Sequence, residues 1–463
     1  MDITALDTLR EAVRGPVLAP HDEGYDAARA IYNAMVDKRP AAIVRAADVA
    51  DVQATVRFAR DTGIPFGVLG GGHSGAGLGL IDGGLTLDLS GGLRWVHVDP
   101  ADTTALVGGG AQLGDLDHAA HGFGLGVPAG IMSTTGVGGL TLGGGHGHLT
   151  RAYGLTVDSL AAARLVLADG TYVTASPDEH SELFWALRGG GGNFGVVTSF
   201  TFRLHPVDTV GLGVTVWEPE KIGDVLRWYR EFLPAAPREL NGFFATLAIA
   251  PEPPFPEELW GRKMCGVVWC YTGPKPDEDT LTDVFAAVNE AGPPAFHLAT
   301  PIPYPALQSM FDHLIPKGLQ WYWRGDFFDR ITDESVDVHA RYLDAMPTEL
   351  STMHLYPVDA AAHDVGADDT AWAYRDAVWS GVIGGIGETP ADAEPIRQWC
   401  VDYWDALHPQ SMGGAYVNFI GADEGQERVR ATYRDHYDRL AKIKGSYDPD
   451  NFFRATQDIL PST

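Results

Sequence analysis

Six of the ten residues from position 70 to position 79 are glycine, and a histidine stands among them: Gly70-Gly71-Gly72-His73-Ser74-Gly75-Ala76-Gly77-Leu78-Gly79. Such a stretch does not continue as helix or sheet, because glycine offers no side chain to bury and loses the most backbone freedom on ordering. It follows a short apolar run, residues 64–69, that reads as a buried strand. A strand opening into a glycine turn lines up successive amide N–H groups around a concavity suited to phosphate or pyrophosphate. His73 presents its imidazole to whatever lies there. Taken alone, the stretch reads equally well as a tight loop carrying a solvated histidine.

Two further clusters remove it from isolation. Residues 126–147 run Gly126-Val127-Pro128-Ala129-Gly130-Ile131-Met132-Ser133-Thr134-Thr135-Gly136-Val137-Gly138-Gly139-Leu140-Thr141-Leu142-Gly143-Gly144-Gly145-His146-Gly147. Residues 188–198 run Arg188-Gly189-Gly190-Gly191-Gly192-Asn193-Phe194-Gly195-Val196-Val197-Thr198. Between them lie strand-like runs at residues 85–89, 95–98, 104–107, 160–167 and 197–204, the last expected to alternate. Asp48 is placed to cap a helix over residues 49–62, with Val52, Val56 and Ala59 on its apolar face, and further helices are expected near residues 6–13 and 112–120. This is not the single GxGxxG turn of a dinucleotide fold. A long, flat ligand with a polar rim suits such backbone better than a compact one.

At 463 residues the chain exceeds what one core supports, so two domains are expected. A formal charge of −28 argues against nucleic acid or an anionic membrane as partner. Cys265, Cys270 and Cys400 form neither a CxxC pair nor a disulfide framework. The first residues carry acidic side chains where a signal peptide has an apolar segment, and no run is long enough to span a membrane, so a cytoplasmic protein is expected. No metal is expected. The middle of the chain differs from its start: glycine clusters give way to alternating stretches at residues 242–249, 266–271 and 352–358, and to Trp217, Trp260, Trp269, Trp321, Trp323, Trp372 and Trp379, which read as core.

The ordered set Gly-Gly-Gly-His-Ser, Ser-Thr-Thr-Gly-Val-Gly-Gly and Gly-Gly-Gly-Asn-Phe-Gly-Val-Val-Thr resembles the FAD domain of the vanillyl-alcohol oxidase superfamily. Ala415-Tyr416-Val417-Asn418-Phe419 and Tyr447-Asp448-Pro449-Asp450-Asn451-Phe452-Phe453 are similar to the C-terminal signature of the berberine-bridge-enzyme-like oxidases. The resemblance implies an α+β protein: a PCMH-type, two-subdomain FAD-binding domain over residues 1–206, and a substrate domain over residues 207–413 with an antiparallel sheet covered by helices. A C-terminal segment, residues 414–463, would return to the FAD domain.

The resemblance also implies roles. His73 stands where the family's histidine attaches covalently to the flavin 8α-methyl carbon. Gly70, Gly71, Gly72, Ser74 and Gly79 would hold the pyrophosphate. Thr134, Thr135, Gly136, Gly138, Gly139 and Gly143 would run along the phosphates and isoalloxazine, with His146 and Gly147 close by. Gly195 and Val197 would meet the adenine side, and Tyr416 and Asn418 would return to the flavin. Met132 occupies the position of a second, cysteinyl link found in many members, so a single histidyl tether is implied. Thr135 occupies the position that governs oxygen access in relatives. Oxidising an alcohol requires a base on the O–H proton while hydride leaves carbon. The family's carboxylate position falls on Tyr356; Tyr356 or Tyr416 would need a depressed pKa or a relay through His354, and Asp369 is a further candidate, read also as a turn residue. The implied activity is a flavoprotein oxidase taking hydride from an alcohol or amine carbon of a small molecule and reducing O2 to hydrogen peroxide. A dehydrogenase with another acceptor and a non-catalytic flavoprotein are the alternatives. Substrate identity and oligomeric state stay open.

Overall fold

The computed structural model describes residues 3–462; residues 1, 2 and 463, which the expected outer boundaries include, lie outside it. Helix Val49–Thr62 forms with the bounds read from its spacing, and the Asp48 carboxylate accepts hydrogen bonds from the amides of Ala50 and Asp51. Such a cap satisfies donors that the first turn leaves free. Val52, Val56 and Ala59 are buried against a four-stranded sheet. Its strands lie in the order Val17–Leu18, Ala42–Arg45, Leu85–Asp88, Phe66–Leu69. The last three are parallel, with Leu85–Asp88 between the two strands that the helix joins. Phe66–Leu69 therefore ends at the edge of the sheet, where the glycine turn begins.

A second sheet is antiparallel, in the order Val96–Asp99, Thr104–Gly108, Val196–Arg203, Leu160–Val166, Tyr172–Ala175. Its central strand was expected to alternate in exposure, yet it is buried along most of its length. Val196 packs toward the first sheet while Val197, Phe200 and Phe202 enter a separate core. That second core also takes in Val429, Tyr433, Tyr437, Leu440 and Ile459 from the end of the chain. Lys444, fully buried, pairs with Asp448 at 2.8 Å and donates to the carbonyls of Asn193 and Phe453, so the C-terminus is fastened to the third glycine cluster.

Seven antiparallel strands make the largest sheet: Phe296–Pro303, Thr209–Trp217, Lys263–Tyr271, Leu240–Ala248, Thr352–Pro357, Trp379–Gly387, Gln320–Phe328. Helices Ile222–Ala235, Asp333–Asp344 and Ala393–Leu407 cover one face through Trp217, Tyr229, Trp269, Trp379 and Tyr403. The other face looks back toward the glycine clusters. The result is the mixed architecture of sheets and helices expected from the sequence. No helix among the described residues is long and apolar enough to cross a membrane.

Candidate active site

The turn after Phe66–Leu69 closes because Gly72 takes a left-handed conformation, φ 74°, that a side chain disfavours. One residue earlier, a Cβ on Gly71 would collide with the backbone of Gly136, so the first and second glycine clusters lie main chain against main chain. His73 follows, partly buried. Its Nε2 is 3.0 Å from the Thr134 hydroxyl, and its Nδ1 is 3.4 Å from that of Thr135. The Tyr32 ring stacks on the imidazole with centroids 4.0 Å apart, and the Tyr32 hydroxyl donates to the Ile315 carbonyl. Burial and the nearby Lys317 ammonium push the His73 pKa down to about 4, so the ring is neutral at ordinary pH.

A cavity of about 400 Å³ opens between this turn and the large sheet. Gly70–Gly72, Gly136, Gly138, Gly139, Gly195 and Val197 form one wall, extended by Phe453, Ala455, Thr456 and Gln457. The opposite wall follows from strand alternation: Thr352, His354 and Tyr356 face the cavity, while Met353 and Leu355 enter the core beneath the helices. Trp321, Trp323 and Val382 extend that wall from the two neighbouring strands.

Two hydroxyls in the site are tied to different partners. The Tyr356 hydroxyl lies 2.6 Å from Nδ1 of His354. The Tyr416 hydroxyl donates to the Leu140 carbonyl at 3.3 Å and accepts from Asn418 Nδ2 at 2.7 Å and from the Gly145 amide at 3.2 Å. Burial raises the pKa of both phenols; for Tyr416 the bonds from Asn418 and Gly145 pull the other way and are outweighed. Burial also lowers His354 to about 4. A free tyrosinate is therefore not what this site holds, whereas a tyrosine hydrogen-bonded to a neutral imidazole is.

The lining fits a flavin dinucleotide. Its glycine wall lets a long group approach main chain directly, and its lining holds buried polar groups without partners, the indole N–H groups of Trp321 and Trp323 and the imidazole of His146. Both ring nitrogens of His146 are buried without a hydrogen-bond partner, and the ring lies 4.6 Å from Tyr416 and 5.1 Å from Tyr356 between centroids. An orphaned imidazole costs free energy unless a bound group meets it.

Most residues singled out from the sequence meet at this cavity: His73, Ser74, Gly79, Met132, Thr135, His146, His354, Tyr356, Tyr416 and Asn418 line it alongside the glycines named above. Thr134 faces an adjoining chamber on the other side of His73. Two expectations need correction. Asp369 is exposed in a surface turn, where its carboxylate accepts from the Gly366 amide, so it has no access to the cavity. Gly143 is covered by the Asn418 side chain, and Gly147 by the backbone of Ala129 and Gly130; neither lines the cavity. Trp321 and Trp323, read as core, do pack in one small core cluster with Tyr32 and Ile386, and they also stand on the cavity wall. Tyr32 was missed, since nothing local marks a tyrosine 41 positions before the histidine it stacks upon.

Comparison with known proteins agrees with this geometry. Residues 40–176 match a family described as FAD binding domain, and residues 415–460 match one described as berberine and berberine like. The chain is 31% identical over 458 residues to an FAD-linked oxidoreductase of Dictyostelium discoideum, covering 97% of this chain and 96% of that relative. It is 41% identical over 209 residues to (R)-6-hydroxynicotine oxidase of Paenarthrobacter nicotinovorans, 45% of each chain. Among solved structures, 6-hydroxy-D-nicotine oxidase from Arthrobacter nicotinovorans superposes with a TM-score of 0.84 at 26% identity, covering 97% of this chain and 98% of that one.

Proposed function

Since the chain belongs to the berberine-bridge-enzyme-like FAD-linked oxidoreductases, we propose that it is an oxidase that takes hydride from a carbon bearing a hydroxyl or amine and delivers the electrons to O2. The observation that carries this reading is the position of His73, neutral and held between Thr134, Thr135 and Tyr32 on the lining of a glycine-walled cavity. FAD held there would supply a two-electron acceptor for the hydride and a donor of that pair to O2, giving hydrogen peroxide. His73 would tether it through one ring nitrogen, and Met132 would provide no second link. Gly70–Gly72, Gly136, Gly138, Gly139, Gly195 and Val197 would hold its length, and His146 would meet it or the substrate. In this reading residues 1–206 and 414–463 form the FAD-binding unit and residues 207–413 the substrate domain.

The substrate proton leaves through Tyr356 and His354. With the Tyr356 O–H donated to His354 Nδ1, the phenolic oxygen keeps a lone pair for the substrate hydroxyl. As hydride departs from carbon, the substrate O–H proton passes to Tyr356, and the Tyr356 proton passes to His354. No free tyrosinate is required. Tyr416, bound on three sides by protein, holds the wall in place.

The test is anaerobic bleaching of the flavin by a substrate panel, followed by air. Bleaching with rapid recovery supports an oxidase. Bleaching without recovery makes the protein a dehydrogenase, and no bleaching by any substrate class removes the catalytic reading.

A further inference from the structure

We propose that Met132 is a site of oxidation to the sulfoxide by hydrogen peroxide formed in its own cavity, and that the added oxygen slows the enzyme. This deepens the oxidase reading and rests on it. Among the described residues, Met132 carries the only sulfur on the cavity lining. Cys265, Cys270 and Cys400 are buried elsewhere, and burial pushes their thiols up, so none supplies the thiolate that reacts with peroxide. Of the other described methionines, Met264, Met346 and Met353 are buried in the cores. Met35, Met310 and Met412 are partly exposed, away from the cavity lining.

The neighbours of Met132 suit the reaction. The Tyr32 hydroxyl donates toward Met132 Sδ at 3.7 Å as well as to the Ile315 carbonyl. Burial, with the Asp312 carboxylate adding to it, raises the Tyr32 pKa, so the phenol stays a donor. Trp321 and Trp323 pack in the same cluster as Met132, and their indole N–H groups are buried without an acceptor. A sulfur lone pair attacks one peroxide oxygen and the O–O bond breaks. The departing oxygen takes the proton of the one that stays and leaves as water. Sulfur is oxidised and peroxide is reduced, so no further reactant is needed. A thioether accepts hydrogen bonds weakly, whereas the new oxygen is the kind of acceptor that both orphaned indoles lack. It also competes with Ile315 for the Tyr32 hydroxyl. The Tyr32 ring stacks 4.0 Å from the His73 imidazole, so a shift of Tyr32 reaches the residue that would tether the flavin. Methionine sulfoxide reductases reverse the change.

The holoenzyme is reduced anaerobically with stoichiometric dithionite and returned to O2-saturated buffer, repeatedly, with catalase present to destroy peroxide that escapes. Peptide mass spectrometry reads the oxygen gained at each methionine. Met132 should gain oxygen at least about ten-fold faster than Met35, Met310 or Met412. The reoxidation rate should fall from cycle to cycle. Ferricyanide in place of O2 should leave Met132 unmodified. Met132→Leu, compared with its own first cycle, should hold its reoxidation rate. The proposal alone is overturned if the colour returns in air while Met132 gains oxygen no faster than the three partly exposed methionines, or gains it equally with ferricyanide. It is overturned also if Met132→Leu slows as the wild type does, since the sulfoxide is then not the cause. If air does not return the colour, the oxidase reading fails and the proposal falls with it.

Discussion

Nδ1 of His354 lies 2.6 Å from the Tyr356 hydroxyl, two residues along one strand and on one face of it. The contact decides what kind of base this site can contain. Burial moves the two groups apart, the phenol upward and the imidazole down to about 4. Proton transfer through the pair must therefore be concerted with hydride loss rather than start from a preformed anion.

The rate of flavin reduction at saturating substrate should then be nearly level between about pH 6 and 9, since neither partner titrates there. Below that range it should fall as pH approaches 4, where His354 gains the proton that blocks Nδ1. Tyr356→Phe should lower the reduction rate by about 10²–10⁴-fold with little change in substrate affinity. Stopped-flow reduction under anaerobic conditions measures both. If Tyr356→Phe reduces at the wild-type rate and Tyr416→Phe does not, the proton leaves through Tyr416.

Tethering through His73 alone predicts that acid precipitation leaves the yellow colour in the wild-type pellet and releases it from His73→Ala. The three cysteines are buried outside the cavity, so none substitutes for Met132. Colour freed from the wild type would end the covalent assignment.

Thr135 offers a small branched side chain at the cavity wall, 3.4 Å from His73 Nδ1. Thr135→Leu should slow reoxidation by O2 well beyond any effect on reduction by substrate, because the added methyl groups would fill space beside a flavin held against this wall. Equal slowing of both half-reactions would move the oxygen path elsewhere.

The glycine clusters were legible because close main-chain approach leaves its mark on composition: Gly71 and Gly136 touch, and only residues without a Cβ can do so. Helix Val49–Thr62 was legible from its cap and its stripe. The face of the large sheet was not. Alternation in residues 352–358 identifies two sets of side chains but not which set meets helices and which meets a cavity. Trp321 and Trp323 looked like Trp217 and Trp269 for that reason. Gly143 and Gly147 failed by proximity: they sit in a motif whose neighbours line the cavity, but Asn418 and the Ala129–Gly130 backbone stand in front of them. Asp369 carried the right chemistry in a turn that folds away.

Arg151 bonds the glycine-cluster side of the cavity to the large sheet opposite it. Its guanidinium, 1% exposed, pairs with Asp359 at 2.8 Å and donates to the carbonyls of Ala236, Pro237 and Leu240. Helix Thr150–Tyr153, just past the second glycine cluster, is thereby bonded to the turn that leads into strand Leu240–Ala248 and to the end of strand Thr352–Pro357. Removing one partner of a buried pair leaves the other charge uncompensated, which costs about 3–5 kcal/mol. Arg151→Ala also strands three carbonyls, so it should lower the thermal unfolding midpoint sharply and loosen substrate binding in whatever fraction folds. Arg439→Ala, which breaks an exposed pair with Glu182 and removes a guanidinium 3.8 Å from the Trp185 ring centroid, is the control and should cost about 1–2 kcal/mol. Scanning calorimetry of both variants checks the contrast; similar midpoints would mean that the two walls are joined by apolar contact, with the buried pair contributing little.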